Sequence, residues 1–300
     1  MDYQGEKQVK SGLVALIGPP NVGKSTLLNA LLGQKISIVS PKPQTTRNRI
    51  LGIVNGDDYQ IVFIDTPGIH TARSPLNQEM VKIAVSSLAD VDVIIFMIDI
   101  SFPLPDRISD ATSHLTSAGK PVILLLNKTD QARPEKLLPI LAAYKDIFPF
   151  HAMIPISALT RDGTDILIKE LLPLLPEGPR LYPQDIPTDS TERFIAAEIV
   201  REKIFLLTSQ EIPYSCAVVV DSFKEEERKI TIHATIFVER KSQKGIIIGK
   251  QGSMLKQIGQ AARLELKELL GIGIELKLWV KIKKDWTSDA LFLQELGLRG

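Results

Sequence analysis

From about residue 10 to residue 175, short apolar runs alternate with longer amphipathic stretches. The runs at 13–17, 50–54, 60–64, 92–99, 121–126 and 152–156 have the length and composition of buried strands. Between them, 25–33, 75–90, 105–118, 134–146 and 163–172 carry apolar residues at helical spacing. Such alternation predicts an α/β unit: a mostly parallel six-stranded sheet with helices on both faces. One place departs from it. In "ILGIVNGDDYQIVFI" the pair Asn55-Gly56 separates two strand-like runs, a hairpin signal that sets the second strand antiparallel to the third.

The pattern breaks at 173–190, where prolines at 173, 176, 179, 183 and 187 remove backbone donors and favour extended chain. This stretch reads as an interdomain linker. After it come a helix at 192–208, strands around 214–223 and 229–239, helices at about 244–249 and 252–270, and a strand at 273–282. The expected organisation is a first domain over 1–175, a linker over 176–191, a smaller α+β domain over 192–286 and a tail over 287–300.

Composition narrows the setting. Of 300 residues 44% are hydrophobic and 24% charged, the balance of an ordinary globular chain. The single cysteine, Cys216, excludes an internal disulfide, and the four histidines lack metal-ligand spacing, so a cytoplasmic protein is expected. No apolar window approaches bilayer length, and no coiled-coil pattern predicts self-association, so a soluble monomer is expected. Net charge is only +1, but residues 193–286 hold 17 Lys and Arg against 12 Asp and Glu. A basic C-terminal module points toward nucleic acid as partner.

The chemistry begins at "GPPNVGKST". Gly18, Gly23, Lys24 and Ser25 have the spacing of a phosphate-binding loop between a strand and a helix. Backbone N–H groups across Asn21, Val22, Gly23 and Thr26 would face a polyphosphate, Lys24 would reach its outer phosphates, and Ser25 would help hold Mg²⁺. "NKTD" follows the run ending at Leu126. Its Asp130 can accept two hydrogen bonds from guanine N1–H and the exocyclic amine, with Asn127 in the same loop and the Lys128 stem along the base. "ISA", Ile156, Ser157 and Ala158, could place a backbone N–H near guanine O6. "DTPG" offers Asp65 to Mg²⁺ and, after Thr66 and Pro67, a Gly68 N–H to a γ-phosphate. Within "PKPQTTRNR", Thr46 or its neighbour Thr45 can close on Mg²⁺, and Arg47 and Arg49 are the nearby cations.

These five elements, in the chain order 18–25, 44–48, 65–68, 127–130 and 156–158, resemble the complete set of GTPase motifs. QTTR, DTPG and NKTD are similar to those of the Era, Der and MnmE group of bacterial GTPases. Ile69, just after DTPG, stands where a glutamine would orient the attacking water, so slow unaided hydrolysis is implied. Some relatives recruit K⁺ through a P-loop asparagine, and Asn21 occupies that position.

In the C-terminal module, Gly249-Lys250-Gln251-Gly252 lies between two helical stretches, with Lys244 and Lys256 on either side. A GxxG loop of this kind lets backbone approach a single-stranded nucleic-acid backbone. The order helix, strand, strand, helix, GxxG, helix, strand resembles a type II KH domain, and a GTPase domain followed by that module resembles the Era family. The resemblance implies a GTP-gated switch that hydrolyses GTP to GDP, binds the 3′ region of 16S rRNA and assists maturation of the 30S subunit. It also implies partial peripheral association with the membrane. A rival from another class is an RNA-binding chaperone in which GTP serves mainly the fold.

Overall fold

The computed structural model describes residues 7–68, 74–102, 109–131, 133, 135, 137–208 and 212–298. The chain divides into two compact units. The first runs to Ser37, resumes at Thr46 and ends at Asp189, and the second holds the residues from Ser190 onward together with the excursions Ile38–Thr45 and 74–79.

In chain order the first unit's elements are β1 (Val9–Ile17), α1 (Lys24–Leu32), β2 (Ile50–Asn55), β3 (Tyr59–Asp65), α2 (Pro75–Ser86), β4 (Val93–Asp99), α3 (Ser109–Ala118), β5 (Val122–Asn127), α4 (Leu137–Lys145), β6 (Ala152–Pro155), α5 (Thr164–Leu171) and β7 (Glu177–Gly178). The excursion at 74–79 takes in the start of α2. The sheet order is β2-β3-β1-β4-β5-β6, all parallel except β2, which runs antiparallel to β3 as the Asn55-Gly56 pair predicts. Ile61 to Ile64, Val93 to Met97 and Val122 to Leu126 are buried along their whole length. Helices on both sides leave these strands no solvent face, which is why their sequence is continuous rather than alternating.

Two differences from the sequence pattern have local causes. β1 starts at Val9, before its apolar run, because Lys10 to Gly12 still pair with Tyr59 to Ile61. β7 adds a seventh strand by pairing antiparallel with Val9 and Lys10, and its two residues are too few for any periodicity. The proline-rich stretch is fastened to the first unit. Gln60 Oε1 accepts from the N–H groups of Leu181 and Tyr182 at 2.7 and 2.9 Å, and Ile53 N–H donates to the Pro187 carbonyl at 2.8 Å.

The second unit contains α6 (Glu192–Leu207), β8 (Cys216–Glu226), β9 (Lys229–Val238), α7 (Lys241–Ile248), α8 (Ser253–Leu270), β10 (Gly273–Ile282) and α9 (Ala290–Glu295). Its three-stranded sheet has β9 in the centre, antiparallel to β8 and parallel to β10. Alternate residues of β9 (Ile230, Ile232, Ala234, Ile236 and Val238) are buried. α6 packs on β8 and α8, and α7 and α8 pack on β10. No helix among the described residues is long and apolar enough to cross a membrane.

Candidate nucleotide site and nucleic-acid interface

Parallel strands deliver their carboxyl ends to one edge of the first sheet, and the candidate residues lie there. β1 ends at Ile17 just before Gly18, β3 ends at Asp65, β4 at Asp99, β5 at Asn127 and β6 at Pro155. Register aligns Leu16 with Asp65 and Asp99 with Asn127.

The turn from β1 into α1 places Asn21 at φ 63° and Gly23 at φ 102°. Gly23 is required twice. Its backbone is left-handed, and a Cβ there would lie 2.2 Å from Asn127 Nδ2. α1 begins at Lys24, so N–H groups of its first turn point into the loop without helical partners. The Lys24 side chain is buried and folds back over the loop, donating to the carbonyls of Gly18 and Pro19 at 3.1 and 3.0 Å. Burial lowers its pKa to about 8, with the Asp65 carboxylate acting in the opposite direction.

Next to Lys24, the Asp65 carboxylate is fully buried. Its Oδ2 accepts from the hydroxyls of Ser25 at 2.6 Å and Ser37 at 2.9 Å. The Ser25 and Thr46 hydroxyls lie 2.8 Å apart. Thr45 instead donates its hydroxyl to the Lys42 carbonyl, so of the two threonines it is Thr46 that reaches Ser25. Burial raises the Asp65 pKa, opposed by Lys24 and the surrounding hydroxyls. Asp65 Oδ1 is buried without a hydrogen-bond partner. An orphaned carboxylate oxygen beside two hydroxyls is a hard, all-oxygen donor set, which fits Mg²⁺. Thr66 donates to the Leu16 carbonyl at 2.8 Å, and Pro67 and Gly68 are buried after it.

On the far side, Asn127 joins two loops. Its Nδ2 donates to the Val22 carbonyl at 2.6 Å, and its Oδ1 accepts from Ala158 N–H at 2.9 Å. Asp130 accepts from the Ser157 hydroxyl at 2.7 Å, and Thr129 N–H donates to the Ile156 carbonyl. Lys128, at φ 70°, ion-pairs with Asp99 at 2.6 Å. Because Ala158 N–H already serves Asn127, a base oxygen at this loop would share that donor.

In the second unit, α7 stops at Ile248 and the chain turns through Gly249, at φ 72° and ψ 178°, before Lys250 to Gly252 lead into α8. That backbone region is open to glycine alone among residues, and a Cβ on Gly249 would meet Met254 N at 2.8 Å. Gln251 at φ 52° and Gly252 at φ 80° complete a tight, outward turn. Lys250, Gln251 and Lys256 are exposed and Lys244 is half-buried. Gln243 caps α7 by accepting from the N–H groups of Glu239 and Arg240.

Residues 13–128 match the family described as 50S ribosome-binding GTPase, and residues 211–287 match the KH domain. The chain is 54% identical over 293 residues to GTPase Era of Geotalea daltonii, covering 97% of this chain and 99% of the relative. To GTPase Era of Syntrophus aciditrophicus it is 51% identical over 290 residues, 96% of this chain and 95% of the relative. The chain belongs to the Era family of GTPases. Among solved structures, a point variant of Aquifex aeolicus Era bound to GDP·AlF4⁻ superposes with a TM-score of 0.94 at 42% identity, covering 97% of this chain and all of that one. An Era complex with MgGDPNP and nucleotides 1506–1542 of 16S ribosomal RNA gives 0.94 at 43%, with the same coverage.

Two residues at this Era-type site escaped the motif pattern. Ser37 belongs to no recognised motif, and only the fold brings its hydroxyl to Asp65. Asp99 carried a readable signal: it ends a buried strand, in register with Asn127 at the start of NKTD. Arg47 is buried and Arg49 exposed, and Ile69 lies outside the described residues.

Proposed function

We propose that this protein binds GTP, hydrolyses it slowly, and uses the nucleotide state to gate binding of the 3′ region of 16S rRNA by its KH domain, in the service of 30S subunit assembly and maturation. The observation that carries the reading is the meeting of Lys24, Ser25, Thr46, Asp65 and the Asn127–Asp130 loop at one sheet edge. The Era complex that holds both MgGDPNP and 16S rRNA supports the pairing of nucleotide with RNA.

Within this reading, P-loop N–H groups and Lys24 bind the β- and γ-phosphates. Ser25, Thr46 and Asp65 would hold Mg²⁺, which neutralises charge on the phosphate oxygens. Gly68 offers its N–H to the γ-phosphate, and Asp130, held by Ser157, reads the guanine edge. With isoleucine at 69, no side chain at that position orients water, so turnover should lie at about 10⁻⁴ to 10⁻² s⁻¹. Asn21 is the residue through which K⁺ would be recruited. Turnover should then be faster in potassium than in sodium, and equal rates would count against that role. Any membrane association through the described helices would be peripheral, because none of them can span a bilayer.

The test is binding of an oligonucleotide copying the 16S rRNA 3′ end, beside a scrambled one, with a GTP analogue and then GDP at fixed salt. Preference for the cognate RNA in the GTP state is expected. Affinity indifferent to nucleotide would favour the chaperone reading, since a ligand shifts an equilibrium only through differential affinity.

A further inference from the structure

The sheet of the second unit is covered unequally. Strand alternation sends Ile274 and Val280 of β10, with Ile232 and Ile236 of β9, toward the helices. A Cβ on Gly259 of α8 would touch Leu278 at 3.6 Å. His233, Lys277, Trp279 and Lys281 therefore occupy the opposite face. α9 covers one end of that face, where Phe292 meets Phe237 at 5.0 Å and Trp286 at 5.9 Å. Trp279 remains 45% exposed, the one large exposed aromatic among the described residues of this unit.

Its indole is propped edge-on against His233, with centroids 5.2 Å apart and planes at 70°. His233 Nε2 is buried without a partner. Lys277 and Lys281 stand two residues to either side of Trp279 on the same strand face. The acids nearby are already committed: Glu275 holds Lys229 and Lys277, each at 2.9 Å, and Asp221 accepts from Thr235. Counted over that face, Lys224, Lys229, Lys277 and Lys281 exceed Asp221, Glu226 and Glu275 by one, so the patch is positive on balance. An exposed indole between lysines suits a base and its flanking phosphates.

Position points to the same ligand. β10 is an edge strand whose inner face carries α7 and α8, the helices that flank Gly249–Gly252. Gly259, seven residues along the chain from Gly252, lies against Leu278, the neighbour of Trp279, so a single strand leaving that loop would follow α8 for about 10 Å and turn round the edge of β10 to reach Trp279. We propose that Trp279 forms a second RNA subsite on the outer face of the KH sheet, stacking one base of the strand that leaves the GxxG loop while Lys281 contacts a flanking phosphate. The proposal rests on the assignment of that loop to RNA.

The experiment uses the full chain, fluorescein-labelled tetra- and dodecauridylate at fixed salt, and the variants Trp279→Ala and Lys250→Glu. Trp279→Ala should weaken the dodecamer about tenfold, as loss of one stacked base does, and leave the tetramer unchanged. The protein has two tryptophans and Trp286 is fully buried, so dodecamer binding should quench wild-type emission through Trp279. That quenching should vanish in Trp279→Ala, with far-ultraviolet circular dichroism confirming the fold. Equal affinity of variant and wild type for the dodecamer, or no quenching, overturns the subsite. So does self-association that is lost in Trp279→Ala while RNA binding is unmoved, which would make the face a protein interface. If Lys250→Glu leaves both lengths unaffected, the GxxG assignment fails on its own, and quenching at Trp279 then decides the sheet face separately.

Discussion

Lys24 is held at a pKa of about 8 by burial, below the ordinary lysine value of 10.5. Its charged form is therefore disfavoured in the folded chain, a penalty present in full below pH 8 and worth about 3 kcal/mol. Stability without nucleotide should rise with pH between about 8 and 10.5, where the unfolded chain still binds the proton and the folded one does not. A phosphate at Lys24 restores the charge. Nucleotide binding near pH 9 should accordingly take up close to one proton, seen calorimetrically as a dependence of apparent enthalpy on buffer ionisation heat. At the base, Asp130→Asn replaces a double acceptor with an amide that can donate. Preference should move from GTP toward the 2-oxo analogue XTP by at least about tenfold, measured by competition, and an unchanged guanine preference would remove Asp130 from base reading. Both residues were legible because their motifs are contiguous. Ser37 was not, because it reaches the site through the fold instead of sequence proximity, and Asp99 was legible only as the end of a buried strand.

At the scale of elements, α6 shows why periodicity predicts a helix better than it predicts its surroundings. The spacing locates it within a residue at either end, but it does not show that the charged residues Glu198, Arg201 and Glu202 are buried. Their partners are distant in sequence: Glu202 accepts from Val39 N–H at 2.9 Å, Arg201 donates to the Thr45 carbonyl and pairs with Glu198, and Lys42 donates to carbonyls at the end of α6. The backbone of 38–45 needs hydrogen bonds, and no local pattern announces that a helix 163 residues later provides them. Arg201→Met should strand the buried Glu198 charge and lower stability by about 3–5 kcal/mol in urea unfolding, whereas adding Glu198→Met should recover most of the loss. β7 and α9 were missed for a simpler reason: a two-residue strand and a six-residue helix leave too few positions for a period to stand out.

For the whole molecule, the basic excess of 193–286 was visible from counting charges, but counting overstates the free charge. Lys203, Lys229, Lys277 and Lys283 are each paired with carboxylates, so fewer cations remain for a polyanion. If Lys244, Lys250 and Lys256 each neutralise one phosphate of tetrauridylate, too short to reach β10, the logarithm of its affinity should fall against that of salt with a slope of about −2, and Lys250→Met should reduce the slope by about 0.7. A slope set by all the surplus charge would be much steeper. The alternation of strands and helices revealed both units, while the path by which the chain leaves and re-enters each of them was hidden. That path limits how far the protein is modular. A gene divided after Asp189 would not yield two independent proteins, because the downstream product would lack Ile38–Thr45 and would expose the charges on α6 that this segment satisfies. Fusion of the RNA-binding half to another partner should therefore succeed only when that peptide is supplied with it.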